Sequence, residues 1–519
     1  MSIVIRAIGH AGRRGATRRV PSAEAVLDLV DEWLAESAAD TARGHVAGVR
    51  APDGALEVRF HPAARPVRFG ATDAGRVAVE AETVPVGPGY HTFVASLLRR
   101  LGDDLDIEWA GPPDLGRPDQ GAALAGAPSA RTSVLSRATG LPGAALSRAG
   151  GLPGAVLSRA TAGGSDEDDE PSTDPTGAFF SGSRAEAERG HLAWLRASLL
   201  AVRDARRIGV AGLHLGTQPG VRYTFDAAVA TVLGPRDDAW LERALGDPRV
   251  AADVWPWVAD AMDARYHLNR ALTFMWIEVR WRPPVGDAET VALDDLLASL
   301  RHAYPLEPGL PWPWAEWREA FVLRGLSDPA TFQLLQRANT PRGPRGPEPT
   351  PGAVLVGVPE ATVAANGTNP AAAHDDDDGD GNGRIGYRRR PVTILHEGWA
   401  LDLPGSFSEE RTPEEWSGSD AGRTVTLAAT ETAVGDAPMS AEVFLREFAS
   451  GLGRDVIEHD AGGVRGRARL SSDSATGVEV ATVEGYSAVR GSGAVIRIVI
   501  EDPGDWKWAL DTWRGLRPA

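Results

Sequence analysis

Glu278 and Glu316 are the side chains of this 519-residue chain best placed to do chemistry, because each stands among tryptophans. The run LPWPWAEWREA carries Trp312, Trp314 and Trp317 beside Glu316 and Glu319, and ALTFMWIEVRW (271–281) carries Trp276 and Trp281 around Glu278. Read as a strand, the second run shows Phe274, Trp276, Glu278 and Arg280 on one face and Met275, Ile277, Val279 and Trp281 on the other. Aromatic platforms flanked by carboxylates can bind sugars, and paired carboxylates can cleave them. The spacing therefore outlines a ligand cleft of Trp276, Glu278, Trp312, Trp314 and Glu316, in a carbohydrate-binding protein or a hydrolase. The weightier expectation is that these tryptophans build core or interface, because aromatic side chains dominate buried surface.

Charge recognition is the second chemistry on offer. Arg465, Arg467 and Arg469 alternate along VRGRARL, so a strand there turns three guanidiniums to one face. Such a stripe could dock an acidic partner through charge-assisted hydrogen bonds, and the chain has acidic runs of its own at Asp166–Glu170 and Asp375–Asp378. Cross-strand ion pairs in solvent are the plainer expectation. Acid–base catalysis has less support. The 11 histidines are scattered, and His191, His214, His267 and His302 share a region without any pair at i, i+4. No Walker-type phosphate loop, HExxH or GxSxG occurs, so no catalytic residue and no cofactor is expected.

DDDDGDGNGRIGYRRR (375–390) raises the question of a metal. A calcium loop needs oxygen ligands at positions 1, 3 and 5, glycine at 6 and a bidentate glutamate at 12. Asp378, Asp380, Asn382 and Gly383 meet the first four demands, but position 12 is Arg389, a cation. The preceding TVAANGTNPAAAH offers no amphipathic incoming helix. The stretch reads as a charge-segregated tether, with no metal site.

Composition sets the outer limits. A formal net charge of −17 argues against the concentrated basic surface of a nucleic-acid binder and against attraction to anionic membranes. With no cysteine, disulfides, thiolate nucleophiles and zinc ribbons are excluded. MSIVIRAIGHAGRRG lacks the apolar core of a secretory signal, and no run approaches the roughly 18 apolar residues of a membrane span. The expected location is the cytoplasm. Lys507 is the single lysine among 54 basic residues, an arginine bias read as that of a GC-rich bacterial genome.

The elements that must position these residues fall into three α/β modules with mostly antiparallel sheets, an α+β multidomain chain joined by two disordered linkers. Residues 1–112 form a small α+β unit. SAEAVLDLVDEWLAES sets Val26, Leu27, Leu29, Val30, Trp33 and Leu34 on one helical face, and 55–60, 76–86 and 105–110 read as strands around a second helix. Residues 113–183 repeat LSRA and GLPGA with a period of 11 and then turn acidic, the first linker. Residues 184–337 hold nine of the 16 tryptophans, with 271–281 as their best strand. A linker rich in Pro, Gly and Asp covers 338–388. In 389–519, Ser440 caps a helix striped by Val443, Phe444 and Phe448. AVIRIVI reads as a central strand, and a closing helix puts Trp506, Leu510 and Trp513 on one face.

This last region, about a quarter of the chain, resembles the Mog1/PsbP-like fold, including its bacterial DUF1795 or DcrB-like branch. The residues that carry the resemblance are GWALDLPGSF, GRARL, GYSAV, AVIRIVI and WKWALDTWRGL. It implies an α-β-α sandwich that works by binding, with no shared catalytic residue. The chain as a whole is therefore expected to be a non-enzymatic bacterial adaptor or chaperone-like protein, in a setting such as a secretion or conflict system. Its flexible linkers would raise the effective concentration of one site once another engages a protein partner. Neither the partner nor the oligomeric state is legible.

Overall fold

The computed structural model describes residues 3–11, 22–42, 48–72, 75–111, 172–216, 221–223, 227–259, 262–338, 384–412, 414–420, 422–434, 437–473 and 480–519. The 11-residue repeat, the acidic run Asp166–Glu170 and the ligand positions of the half-matched calcium loop lie outside the described residues, as does any contact they make. Within those residues the protein is α+β, with several mostly antiparallel sheets.

The first region runs β1 (Val4–Ala11), α1 (Ala23–Ala42), β2 (Gly48–Arg50), β3 (Leu56–Val58), β4 (Val67–Ala71), β5 (Arg76–Glu82), α2 (Pro88–Leu105) and β6 (Ile107–Trp109). Its six strands lie in the order β2-β3-β4-β5-β1-β6, every pair antiparallel. Along β5 burial alternates residue by residue, as RVAVEAE requires of a strand with one covered face. From α1, Val26, Leu27, Val30, Trp33 and Leu34 point inward, whereas Leu29, expected on the same face, is exposed. When the chain is next described, Thr173 exchanges two backbone hydrogen bonds with Arg6 of β1.

The second region contains a one-turn helix (Ala178–Ser181), α3 (Arg184–Arg207), β7 (His214–Leu215), β8 (Val221–Tyr223), β9 (Val229–Thr231), β10 (Gly234–Arg236), α4 (Asp238–Gly246), α5 (Ala264–Thr273), α6 (Asp287–Leu306), α7 (Trp314–Leu323) and α8 (Pro329–Ala338). Residues 271–281, expected as the region's best strand, are not a strand. They finish α5 and continue as a π-helical turn over Phe274–Glu278. Phe274, Met275, Trp276 and Ile277 are all buried. A run buried on every side has no polar face to reveal its period, so helix and strand look alike in the sequence.

The third region runs β11 (Val392–His396), β12 (Trp399–Leu403), β13 (Ser408–Arg411), β14 (Glu415–Asp420), β15 (Arg423–Glu431), the two-residue strands β16 (Ala433–Val434) and β17 (Ala437–Pro438), α9 (Ala441–Phe448), β18 (Ile457–Ala461), β19 (Val464–Asp473), β20 (Val480–Val489), β21 (Ser492–Ile500), α10 (Trp506–Arg514) and β22 (Arg517–Pro518). A seven-stranded antiparallel sheet has the order β13-β14-β15-β21-β20-β19-β18, and the apolar β21 lies at its centre. Ser440 caps α9 by accepting from the Val443 N–H at 3.3 Å. Phe444 of α9 rests on Gly493, and Trp513 of α10 rests on Gly466 and Gly485; a Cβ at any of these glycines would strike the ring. Gly493 pairs with Ala488, which pairs with Arg465, while Gly466 pairs with Ser487. Successive residues of β19 face opposite ways, so the two helices cover opposite faces of the sheet. Phe448 and Trp506, each expected on its helix's apolar face, are about half exposed.

The regions meet through backbone as well as side chains. β8 of the second region pairs with β11 of the third, giving a four-stranded sheet β22-β12-β11-β8. Gly89 donates its N–H to the Trp257 carbonyl at 3.1 Å, and Trp257 donates to Val86 at 3.0 Å, which ties the first region to the second. One cluster of buried apolar residues extends from Ile5 to Leu516.

Candidate functional site

Charged and aromatic side chains converge around residues 384–390, the carboxy-terminal half of the stretch read as a tether. Ile385 and Tyr387 are 1% and 0% exposed. The Ile385 N–H donates to Glu316 Oε1 at 3.2 Å. The Tyr387 hydroxyl donates to the Thr231 carbonyl at 2.8 Å and accepts from the Thr231 N–H at 3.2 Å. Its ring stacks on Tyr223 with centroids 4.4 Å apart and lies 4.9 Å from Trp276. Gly386, at φ 133°, lets the backbone pass against the Trp281 indole, where a Cβ would collide.

Two arginines extend this hub. Arg389 makes a bidentate pair with Glu319, at 3.0 and 2.7 Å, with its guanidinium 3.6 Å from the Trp281 ring centroid. That pairing shows what Arg389 does where a calcium loop would need glutamate. Arg388 donates to the Ile277 carbonyl at 3.3 Å and to Glu409 Oε1 at 2.5 Å, and its guanidinium lies 5.7 Å from the Tyr223 ring centroid. Glu409 also accepts from Trp416 Nε1 and Arg411, each at 3.2 Å. Burial pushes the Glu409 carboxyl up, but the charges of Arg388 and Arg280 outweigh it and hold the group at about 2. At Arg280 burial, aided by the charge of Arg388, brings the guanidinium down to about 10.

A second cluster has the outline of a hydrolytic triad. Thr83 Oγ1 lies 3.0 Å from His91 Nδ1, and His91 Nε2 lies 3.2 Å from Asp174 Oδ2. The two ring nitrogens of His91 thus bridge the Thr83 hydroxyl and the Asp174 carboxylate. Thr176 donates to both oxygens of Asp174 at 3.0 Å, and the Phe179 N–H adds a bond at 2.8 Å. Burial raises the Asp174 carboxyl, but its hydrogen bond and charge interaction with His91, with the backbone donors, bring it down to about 2. His191 packs edge-on at 5.5 Å from His91; burial and the His91 charge lower its imidazole to about 4. The Thr83, His91 and Asp174 side chains are sealed from solvent. No substrate reaches this hydroxyl, and the cluster works as a latch that fastens residues 173–179 onto α2.

The structure places the cleft candidates apart. Trp276 and Glu278 belong to the hub, where Trp276 faces Tyr387 and Glu278 pairs with Arg59 at 3.4 Å. Trp312 and Trp314 join Tyr304 and Trp317 in a separate aromatic group, in which Trp314 and Trp317 stack at 5.4 Å. Glu316 is buried and holds the Ile385 N–H. The arginine stripe does stand on one face of β19. Arg465 pairs with Glu442 and with Asp460 at 3.2 Å, Arg467 pairs with Glu458 at 3.1 Å, and Arg469 lies opposite Glu484. The latch escaped the sequence reading because His91 and Asp174 are 83 residues apart. The isolated Ile and Tyr of GRIGYRRR were the signal for the hub.

Known proteins add little to this geometry. No family model matches the chain, and no curated protein matches it. A solved structure from Bacteroides thetaiotaomicron aligns over 24% of this chain and 45% of its own, at 10% identity and a TM-score of 0.20. The match therefore spans under half of that chain, and a similarity so low carries no argument. Among the described residues no helix is long and apolar enough to cross a membrane.

Proposed function

We propose that the chain is a non-enzymatic, cytoplasmic bacterial adaptor or chaperone-like protein that works by gripping a protein partner. The observation that carries this reading is how the reactive side chains are spent. The Thr83–His91–Asp174 cluster is sealed, Glu316 holds a backbone N–H, and Glu409 holds Arg388. Each is committed to a joint between regions and none is turned toward a substrate.

What remains outside is suited to recognition. The face of β19–β21 beyond α9 displays Arg467, Arg469, Glu484, Tyr486 and Arg497. Phe448 and Trp506 are exposed aromatics of the kind enriched at interfaces. The resemblance of residues 389–519 to Mog1/PsbP-like modules supports the reading, since α9 and α10 flank an antiparallel sheet as an α-β-α sandwich requires. An acidic surface on the partner would exchange its carboxylates for those that now pair with the stripe.

Site-specific photo-crosslinking at residue 497 in the native host, with and without the triple reversal R465E/R467E/R469E, tests the proposal. The expected result is a discrete crosslinked protein that disappears in the triple variant while the melting transition stays in place. A crosslinking pattern unchanged by the reversal would remove the stripe from the binding surface. Absence of any crosslinked protein at residues 448, 497 and 506 would overturn the binding function itself.

A further inference from the structure

We propose that Arg280 and Arg388 hold a small oxyanion of the phosphate or sulfate class at the joint between the π-helical turn and β13. The first ground is unmet hydrogen bonding. Arg388 is 6% exposed and its Nη1 is buried without a partner, and both Nε and Nη1 of Arg280 are buried and unpaired in the same way. A buried guanidinium edge demands an acceptor, because a charged donor withdrawn from bulk solvent is costly to leave unmet. Arg389, by contrast, has both terminal nitrogens met by Glu319.

Charge is the second ground. Arg280 feels Arg388 of like sign, and Glu278 and Glu409 of opposite sign. Glu278 is already paired with Arg59, and Glu409 is shared by Arg388 and Arg411. Four guanidiniums thus meet two carboxylates in one partly buried place. Water could satisfy the empty N–H groups, but only an anion also balances the charge. A tetrahedral oxyanion presents paired oxygens to each planar guanidinium fork, the geometry in which arginine binds most strongly. Arg59, Glu278 and Arg411 remain partly exposed and carry the cluster out to the surface.

Backbone geometry is the third ground. π-Helical turns are rare and recur at functional sites, and this one ends at Glu278, two residues before Arg280. Trp281, the next residue, adopts φ 55°, a left-handed conformation that a bulky side chain rarely takes. Strain of this kind persists where surrounding contacts insist on it, and it clusters at ligand clamps and other functional sites. Arg280 is the residue next to it.

The test uses the full chain dialysed into chloride buffer at fixed ionic strength. Inorganic phosphate, sulfate and phosphoserine are titrated separately by calorimetry and by thermal melting, for the wild type and for R280Q, R411Q and the remote control R469Q. Saturable binding of phosphate or sulfate is expected, weakened at least tenfold in R280Q and unchanged in R469Q. R411Q, at a more exposed position, should weaken it about threefold, and keeps the test decisive if R280Q does not fold. Tighter binding of phosphoserine than of inorganic phosphate would identify an ester as the natural carrier of the group, and the reverse order a free ion. No saturable response beyond chloride in the wild type, or equal affinity in the wild type, R280Q and R411Q, overturns the proposal.

Discussion

Residues 388–390 and residues 465–469 are both short arginine clusters, and the protein uses them in opposite ways. At the hub, Arg388 is sealed and Arg389 half-buried, and each meets one carboxylate brought from another region, Glu409 and Glu319. Along β19, Arg465 and Arg467 lie at the surface and meet carboxylates of neighbouring elements in the same region, Asp460, Glu442 and Glu458. A buried pair has given up hydration that only its partner replaces, so removing one member is expensive. An exposed pair keeps its water, and the same removal costs little. The difference separates arginines that hold the regions together from arginines that remain free to exchange partners.

Glu409→Ala should sharpen the contrast most. It leaves Arg388 buried and uncompensated, a loss of about 3–5 kcal/mol in chemical denaturation. A loss below about 1 kcal/mol would place Arg388 in the same class as the β19 stripe. Acid comes next. Glu409 is held at about 2 in the folded protein against 4.5 for an ordinary glutamate. Its depressed value contributes stability that is present above about pH 4.5 and lost as pH falls toward 2, on the order of 3 kcal/mol in all. His191, kept neutral by burial to about 4, starts the decline earlier, since the unfolded chain takes up that proton from about pH 6.5 downward. Stability measured from pH 7 to pH 3 should therefore fall in two stages, and Glu409→Gln should shrink the later one, leaving the share that Asp174, also held at about 2, contributes.

Tyr387→Phe keeps the stack on Tyr223 but strands the Thr231 N–H and carbonyl, which should cost about 1–3 kcal/mol in the same denaturation measurement. Arg467→Ala should change stability by less than about 1 kcal/mol, an effect that shrinks further in added salt. If Arg467→Ala proved as damaging as Glu409→Ala, the distinction between joint and surface would collapse.

Patterns with one wet face and one dry face were readable in advance. Val26, Leu27, Val30, Trp33 and Leu34 of α1, the alternation of β5, the Ser440 cap and the central position of β21 all follow from spacing. β1 is legible in the same way, for Ile5 and Ala7 alternate inward with Arg6 and His10 outward. The run 271–281 was misread because burial on all sides erases the period. The candidate site was half visible. Trp276, Glu278 and Glu316 were expected in a ligand cleft; in the structure Trp276 faces Tyr387, Glu278 pairs with Arg59 and Glu316 holds the Ile385 N–H.

Local sequence alone determined the helices and strands that keep one wet face, because amphipathic spacing and capping act over a few residues and need no distant partner. It also determined that thiol chemistry is excluded, because the chain contains no cysteine. Only the tertiary structure decided the rest: that His91 meets Asp174, that Tyr387 lodges between Tyr223 and Trp276, and that Arg388 is sealed while the arginines of β19 stay wet. A charge or a ring takes its energetic meaning from how much water its surroundings remove and which partner they supply, and both come from residues far away along the chain.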